Sequence, residues 1–140
     1  MIFKQIRAKI LLQRKKSFFE GIIVVKILTE LFPFRLILKN RTPVSLRLEI
    51  VNDTDKPQII SYEVLLAGEL SFEKQGLKGC ETDQIESMKP GDKISKYYKI
   101  YPKVTVRKGE YPITITVIEH YNNFNYVLGK KVKRLGLIVE

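Results

Sequence analysis

The stretch "VSLRLEI", Val44 to Ile50, decides the fold class because apolar and polar residues alternate along its whole length. The apolar members of the stretch are Val44, Leu46, Leu48 and Ile50. A helix would scatter these side chains around its axis, whereas an extended strand places all of them on one face. The stretch is therefore predicted to be a β-strand with one buried face and one face toward solvent.

The same period of two recurs along most of the chain. It is clear in "IRAKILL" (residues 6–12), "IISYEVL" (59–65) and "YPITITV" (111–117), and turn-forming residues separate the runs. Strands are predicted near residues 4–12, 21–28, 34–39, 44–52, 58–67, 69–74, 94–101, 111–120 and 125–139, without an amphipathic helix. Residues 74–92 are predicted to form the longest loop, and Gly136 is predicted to break or bulge the last strand.

Short strands with closely spaced turns are typical of a β-sandwich or barrel, and three segments narrow the choice. They are "VSLRLEIVNDTDKP" (44–57), "MKPGDKISKYYKI" (88–100) and "RKGEYPITITV" (107–117). With these segments the chain resembles immunoglobulin-like and fibronectin-III-like sandwiches of the prokaryotic adhesion-type (CARDB-like) kind. The resemblance implies an immunoglobulin-like antiparallel β-sandwich that acts as an interaction module. It also implies that Tyr111 forms a tyrosine corner, in which the hydroxyl bonds to backbone a few residues upstream.

The length and composition of the chain fit one domain, residues 1–140, with a core that needs no disulfides or metals. Residues 41–140 are expected to form the immunoglobulin-like core, and residues 1–40 to supply extra strands that complete or extend its sheets. The only cysteine, Cys80, can form no disulfide within the chain and is expected to be an inert packed residue.

The sequence shows neither a signal peptide nor a membrane span. The first residues alternate apolar and basic side chains and lack the continuous apolar core that a signal peptide needs. The most apolar window, residues 18–38, contains Glu20, Lys26, Glu30 and Arg35. Charges at these positions argue against a transmembrane segment. A soluble cytoplasmic protein is therefore expected, and its Lys- and Ile-rich, Trp-free composition resembles that of thermophile proteins.

The net charge of +10 is distributed unevenly along the chain. Residues 1–50 hold 11 Lys and Arg against 3 Asp and Glu, and residues 93–140 hold 10 against 3. Residues 51–92 hold only 4 Lys and Arg against 9 Asp and Glu. The ends of the chain are thus basic and its middle is acidic, so copies of the chain could make complementary contacts.

No motif in the sequence predicts an enzyme, a metal site or a cofactor. There is no phosphate-binding glycine loop and no nucleophile elbow, and one histidine with one cysteine cannot form a usual zinc site. The run "NDTD" (residues 52–55) has oxygen ligands of the kind calcium prefers, but it lacks the glycine and the distant glutamate of a calcium loop. A polar turn with local side-chain hydrogen bonds is the favoured interpretation.

The stretch "HYNNFNY" (residues 120–126) is the first candidate binding site. Asn122 and Asn123 suit a hairpin turn, because asparagine tolerates the left-handed backbone conformation. A turn alone does not explain the gathered aromatics, and tyrosine and asparagine are favoured in binding loops. His120 itself is expected to be partly exposed beside Tyr121. The binding-loop candidates are Tyr121, Asn122, Asn123, Phe124 and Tyr126.

Basic residues in the first and last strands are the second candidate site. They are Lys4, Arg7, Lys9, Lys130, Lys131, Lys133 and Arg134. If these strands adjoin, Tyr98, Tyr101, Phe124 and Tyr126 could interleave with the basic residues, as stacking residues do in single-stranded nucleic-acid binders. A solvated lysine-rich surface with cross-strand tyrosine pairs is the alternative.

These observations favour a non-enzymatic interaction module that binds an unknown protein partner or associates with itself. A basic-surface binder of nucleic acid or another polyanion is the alternative, and salt-sensitive binding would distinguish it. A small-molecule site or an enzyme is the third and least supported interpretation.

Overall fold

The computed structural model describes residues 25–140, which form two β-sheets packed face to face. In chain order the strands are β1 (Lys26–Phe32), β2 (Arg35–Leu36), β3 (Val44–Val51), β4 (Gln58–Leu66), β5 (Leu70–Ser71), β6 (Cys80–Met88), β7 (Lys93–Pro102), β8 (Gly109–His120) and β9 (Val127–Val139). One sheet has the order β1-β3-β7-β5, and the other has the order β2-β9-β8-β4-β6. The predicted all-β sandwich is confirmed. In this part of the chain, no helix is long and apolar enough to cross a membrane.

The core lies between the sheets and is built from the alternating runs. The inward residues of β3 are Val44, Leu46, Leu48 and Ile50, and all are at most 1% exposed. Opposite them, β4 and β8 contribute Ile60, Tyr62, Val64, Ile113, Ile115 and Val117. Burying one such aliphatic side chain contributes about 1.5–3 kcal/mol relative to leaving it exposed. The predicted inward faces of these three strands are therefore confirmed.

The short strand β2 makes the only parallel pairing among the described strands. It lies beside β9, with Arg35 opposite Ile138 and Leu36 opposite Val139. The chain leaves β1 in one sheet and, past Pro33 and Phe34, enters the other sheet as β2. The predicted antiparallel sandwich thus includes one parallel pairing of two residues, and one segment of the chain contributes to both sheets.

Most predicted strand positions agree with the structure, although several ends differ. The strand predicted at residues 21–28 corresponds to β1, which extends to Phe32. The strand predicted at residues 69–74 corresponds to the two-residue strand β5. The strand predicted at residues 4–12 lies outside the described residues.

Residues 74–92, predicted to be a loop, contain the nine-residue strand β6. The strand pairs antiparallel with β4, from Gln58 opposite Met88 to Leu65 opposite Cys80. Its sequence, "CETDQIESM", lacks an apolar alternation because β6 is the last strand of its sheet and only Met88 is fully buried. Hydrophobic periodicity therefore gave no signal for this strand.

Gly136 neither breaks nor bulges β9, contrary to the prediction. The strand continues from Val127 to Val139, and Gly136 lies opposite Pro112. The Glu110 side chain occupies the position where a Cβ atom on Gly136 would stand, so glycine gives that side chain room to cross the strand. The register between β8 and β9 instead shifts next to His120.

The predicted tyrosine-corner contact is present at the start of β8. The Tyr111 hydroxyl donates a 2.7 Å hydrogen bond to the carbonyl oxygen of Arg107, four residues upstream. This bond fixes the turn that leads into β8, the strand paired with both β4 and β9.

The fully buried Asn52 joins the turns at one end of the sandwich. Its Nδ2 donates to the carbonyl oxygens of Met88 and Lys56, at 2.7 and 2.8 Å. Its Oδ1 accepts from the backbone N–H of Thr54 at 3.0 Å and from the Thr54 hydroxyl. The predicted polar turn is thus present, and the described residues contain no group of three or more His, Cys, Asp or Glu that could hold a metal ion.

We expect Asn52→Ala to lower the free energy of unfolding by about 3 kcal/mol. The substitution leaves the buried Met88 carbonyl oxygen without this donor and also removes the Asn52 bonds to Lys56 and Thr54. An unsatisfied buried polar group alone costs roughly 1–3 kcal/mol. Urea unfolding measures the change. The neighbouring exposed Asp53 makes only a 3.9 Å ion pair with Lys26, so Asp53→Ala should change stability by less than about 0.5 kcal/mol. Equal effects of the two substitutions would contradict this role of Asn52.

Candidate interaction site

The stretch "HYNNFNY" forms the end of the long β8–β9 hairpin. Residues 121–126 connect the strands, and the backbone N–H of Tyr121 donates to the carbonyl oxygen of Tyr126 at 3.1 Å. Asn122 has φ 69°, the left-handed conformation predicted for this turn. Tyr126 belongs to the loop, however, so the prediction that places it in the last strand is wrong.

The loop and the start of β9 present exposed apolar side chains, which we call the hairpin-tip patch. Its side chains are Tyr121, Tyr126, Val127 and Leu128, which are 63%, 57%, 62% and 52% exposed. Sequence reasoning missed the two aliphatic members. The signal was available, because two consecutive apolar residues at a strand end cannot both point into a core.

Phe124 has a supporting position rather than an exposed one. Its ring is half-buried and packs edge-on against the His120 imidazole, with ring centroids 5.2 Å apart. Asn123 shapes the loop, since its Oδ1 accepts the backbone N–H of Asn125 at 2.8 Å. Of the five predicted binding-loop residues, Tyr121 and Tyr126 are therefore the exposed aromatics.

His120 is buried, which corrects the prediction of a partly exposed residue beside Tyr121. Its Nδ1 lies 3.1 Å from the carbonyl oxygen of Tyr126, and its Nε2 lies 2.7 Å from the Ser61 hydroxyl. A carbonyl oxygen only accepts, so Nδ1 donates to Tyr126, while Nε2 and the Ser61 hydroxyl share the second hydrogen bond. These bonds anchor the hairpin tip to β4.

The Ser61–His120 pair lies beside an open groove on the outer face of the sheet. The groove has a volume of about 640 Å³ and is lined by Ser61, Glu63, Thr82, Gln84, Thr116 and Ile118 among others. Ser61 lies in β4, which is paired on both sides, so its backbone N–H points along the sheet and not into the groove. An oxyanion needs preorganised donors beside the nucleophile. The pair is therefore better explained as an anchor of the loop.

The predicted basic residues of the last strand do not form one stripe. Lys131 and Lys133 stand on the side of β9 that faces the other sheet, whereas Lys130 and Arg134 stand on the outer side. Lys133 reaches β1, where its Nζ donates to the carbonyl oxygen of Ile27 at 3.4 Å. The predicted partners Lys4, Arg7 and Lys9 lie outside the described residues.

Tyr98 does not belong to an outer stacking surface, contrary to the prediction. Its hydroxyl lies 2.5 Å from the Tyr62 hydroxyl and joins β7 to β4 across the sandwich. Burial, followed by this hydrogen bond, raises the pKa of Tyr62 well above its ordinary value. Burial also raises the pKa of Tyr98.

Cys80 lies at the start of β6 and is half-buried. Its Sγ donates to the Glu63 carboxylate at 3.5 Å. Burial, followed by this contact, raises the pKa of the thiol. A raised pKa lowers the thiolate fraction at neutral pH, which is the opposite of what a nucleophilic cysteine needs.

Two strands of the five-stranded sheet carry opposite charges: β6 is its last strand, and β9 is covered by the short β2 only at Ile138 and Val139. We call β6 the acidic edge, because it holds Glu81, Asp83 and Glu86 and no basic residue. We call β9 the basic edge, because it holds Lys130, Lys131, Lys133 and Arg134 and no acidic residue. The acidic middle and the basic end of the sequence thus lie on opposite sides of one sheet.

No protein-family model and no curated protein matches the chain. Among solved structures, the chain is similar to a FixG-related protein from Vibrio parahaemolyticus, with 14% identity and a TM-score of 0.49, covering 85% of this chain and 99% of that one. It is also similar to a β-glucuronidase from glycoside hydrolase family 2, with 10% identity and a TM-score of 0.41. That match covers 79% of this chain and 11% of the glucuronidase. These two likenesses carry no argument about function.

We expect the stability of the protein to fall above about pH 10 because of Tyr62. In the unfolded chain tyrosine ionises near its ordinary pKa of about 10. The folded state disfavours the tyrosinate, so this contribution is fully present below that pH and is lost as the pH rises. Urea unfolding at pH 8 and pH 11 measures the loss.

The variant Tyr62→Phe should lose less stability than the parent between these two pH values. At pH 8 it should be about 1 kcal/mol less stable, since it lacks the bond to Tyr98. Tyr97→Phe, which removes an exposed hydroxyl from the same strand as Tyr98, is the control. An identical pH dependence in the parent and in Tyr62→Phe would contradict the assignment.

Proposed function

We propose that this protein is a non-enzymatic interaction module that binds a protein surface through the hairpin tip. The observation that carries the proposal is the exposure of two tyrosines and two aliphatic residues at one end of a rigid hairpin. Single exposed apolar residues need no explanation, but four exposed apolar residues gathered at one end of a hairpin favour a binding site.

The geometry of the loop suits recognition. Tyrosine provides a large contact area and loses little conformational entropy on binding. The loop is held by Asn123, which accepts a backbone bond, and by His120, which bonds to both the loop and β4. A loop held in this way loses less freedom on association than a loose segment, which favours affinity.

The strand order supports the immunoglobulin-like assignment within this proposal. In immunoglobulin domains the first, second, fifth and fourth strands share one sheet, and the third, sixth and seventh share the other. The orders β1-β3-β7-β5 and β2-β9-β8-β4-β6 follow this arrangement if β2 continues the first strand and β6 is an added strand. Loops at the ends of such sandwiches bind partners in variable domains. The fold supports several functions, so the hairpin-tip patch is the stronger support.

Polyanion binding is the alternative, and the described residues favour it less. The basic residues of β9 divide between two sides of the strand, and Tyr98 is engaged between the sheets. A stacking platform needs cations and exposed aromatics on one surface. The positive net charge is the observation that supports this alternative.

We expect Tyr121→Ser/Tyr126→Ser to weaken binding of a protein partner strongly without unfolding the domain. Both side chains are exposed, so the urea midpoint should stay close to that of the parent. Immobilised full chain is exposed to lysate of the source organism, and the retained proteins are compared between the parent and the variant. Removing two central aromatic anchors should weaken a specific contact by roughly tenfold or more.

The matched control is Tyr97→Ser, which removes an exposed tyrosine from the other sheet. The proposal predicts the same retained proteins for the control and the parent. Retention that survives loss of both tip tyrosines would contradict it. Retention that disappears in about 1 M salt and in excess single-stranded oligonucleotide would favour the polyanion alternative.

A further inference from the structure

Among residues 25–140, two strands of the five-stranded sheet have one backbone edge that is unpaired along most of its length. Within residues 25–140, β6 pairs only with β4. In the same range, β9 pairs with β8, and its other side meets β2 only at Ile138 and Val139. An unpaired edge presents N–H and C=O groups that can form a ladder with a further strand.

We propose that the acidic edge of one copy pairs with the basic edge of a second copy and joins the copies head to tail through a continuous sheet. The inference rests on the proposed function and deepens it, because it names a second copy of this chain as a partner and sheet extension as the mode of contact.

Strand direction permits this contact. From β9 through β8 and β4 to β6, each neighbour runs antiparallel to the one before. The two edge strands therefore run in opposite directions. Two copies in the same orientation then place β6 of one beside β9 of the next as an antiparallel pair, which continues the alternation within each copy.

Two lysines of the basic edge stand on the inner side of the sheet. Lys131 lies opposite Val117, and Lys133 lies opposite Ile115. Both partners are fully buried, so this side of β9 faces the other sheet. Neither lysine forms an ion pair with a carboxylate of the described residues, although Lys133 contacts the backbone of Ile27.

Two carboxylates of the acidic edge stand on the same inner side. Asp83 lies opposite Tyr62, and Glu81 lies opposite Val64, and both of these partners are buried. The carboxylates make exposed contacts within the chain, and their side chains keep 43% and 26% of their surface in solvent. Both can therefore accept a second cation.

The positions of the charges select one register. An antiparallel ladder that places Asp83 opposite Lys131 also places Glu81 opposite Lys133, on one side of the joined sheet. A slip of two residues in either direction leaves only one such pair. Oppositely charged residues that face each other across strands stabilise the pairing.

The charges also exclude the symmetric alternatives. Pairing two basic edges would bring lysines opposite lysines, and pairing two acidic edges would bring carboxylates together, which is unfavourable in both cases. A contact between unlike edges is heterologous, so a joined pair of copies keeps one free acidic edge and one free basic edge. The expected product is an open chain of copies and not a closed dimer.

Sedimentation velocity on the full chain tests the inference. About 0.15 M salt is suitable, because the Debye length is then about 8 Å and the repulsion from the net charge of +10 is screened. We expect a species larger than the 16.3 kDa monomer that grows with concentration. Lys131→Glu/Lys133→Glu should weaken this association by at least about tenfold.

The matched control changes the net charge by the same amount away from both edges. Lys56→Glu/Lys99→Glu replaces two exposed lysines, one in a turn and one in β7, and should associate as the parent does. The variant Glu81→Lys/Asp83→Lys should be as monomeric as the basic-edge variant. An equimolar mixture of the two edge variants should associate again, since every contact then joins unlike charges. A misfolded variant could not give this recovery.

Three outcomes would overturn the inference: a monomer at every concentration, association that is unaffected by the edge reversals, or a mixture of the edge variants that stays monomeric. Failure of the proposed function is distinguishable. If proteins are retained through Tyr121 and Tyr126 while the chain stays monomeric, the function stands and the edge contact is wrong. If neither is observed, both are wrong.

Discussion

The sandwich depends on burying one apolar face of the strands β3, β4 and β8 between the two sheets. Each of these strands has neighbours on both sides, so its backbone is fully engaged in pairing. A slip of one residue would turn a whole row of core side chains, such as Leu46 and Leu48 of β3, toward solvent. The alternation of the sequence thus fixes the register. The buried side chains, the Tyr62–Tyr98 bond and the Asn52 hydrogen bonds all follow from it.

Because the inner faces are filled, the surfaces proposed for recognition lie at the rims of the molecule. One rim is the hairpin tip, where His120 ties the loop to β4 and leaves Tyr121 and Tyr126 exposed. The other rims are the unlike edges of the five-stranded sheet. Among the described strands, the acidic middle of the sequence forms one edge because β6 pairs only with β4, and the basic end forms the other because β2 covers only two residues of β9. Acidic and basic residues that are separated along the sequence therefore lie on opposite edges of one sheet.

The sequence predicted the central strands well, since their burial requires an apolar alternation. It could not indicate β6, whose polar residues lie at an edge where little core is available. The prediction that Gly136 breaks or bulges β9 is wrong because glycine is needed there to make room for the Glu110 side chain of the neighbouring strand. No local sequence pattern encodes that contact. The candidate site was predicted in part. Asparagine chemistry predicted the turn, whereas the bond between Ser61 and His120 joins residues 59 positions apart and needs the fold to bring them together.

The most direct test of recognition at the rims is amide hydrogen exchange of the full chain across a range of protein concentrations. Exchange reports the opening of individual backbone hydrogen bonds, so it separates edge strands from central ones. The account predicts that amides of β6 and β9 gain protection as the concentration rises, while those of β3, β4 and β8 stay equally protected throughout. Protection in β6 and β9 that does not change with concentration would contradict it.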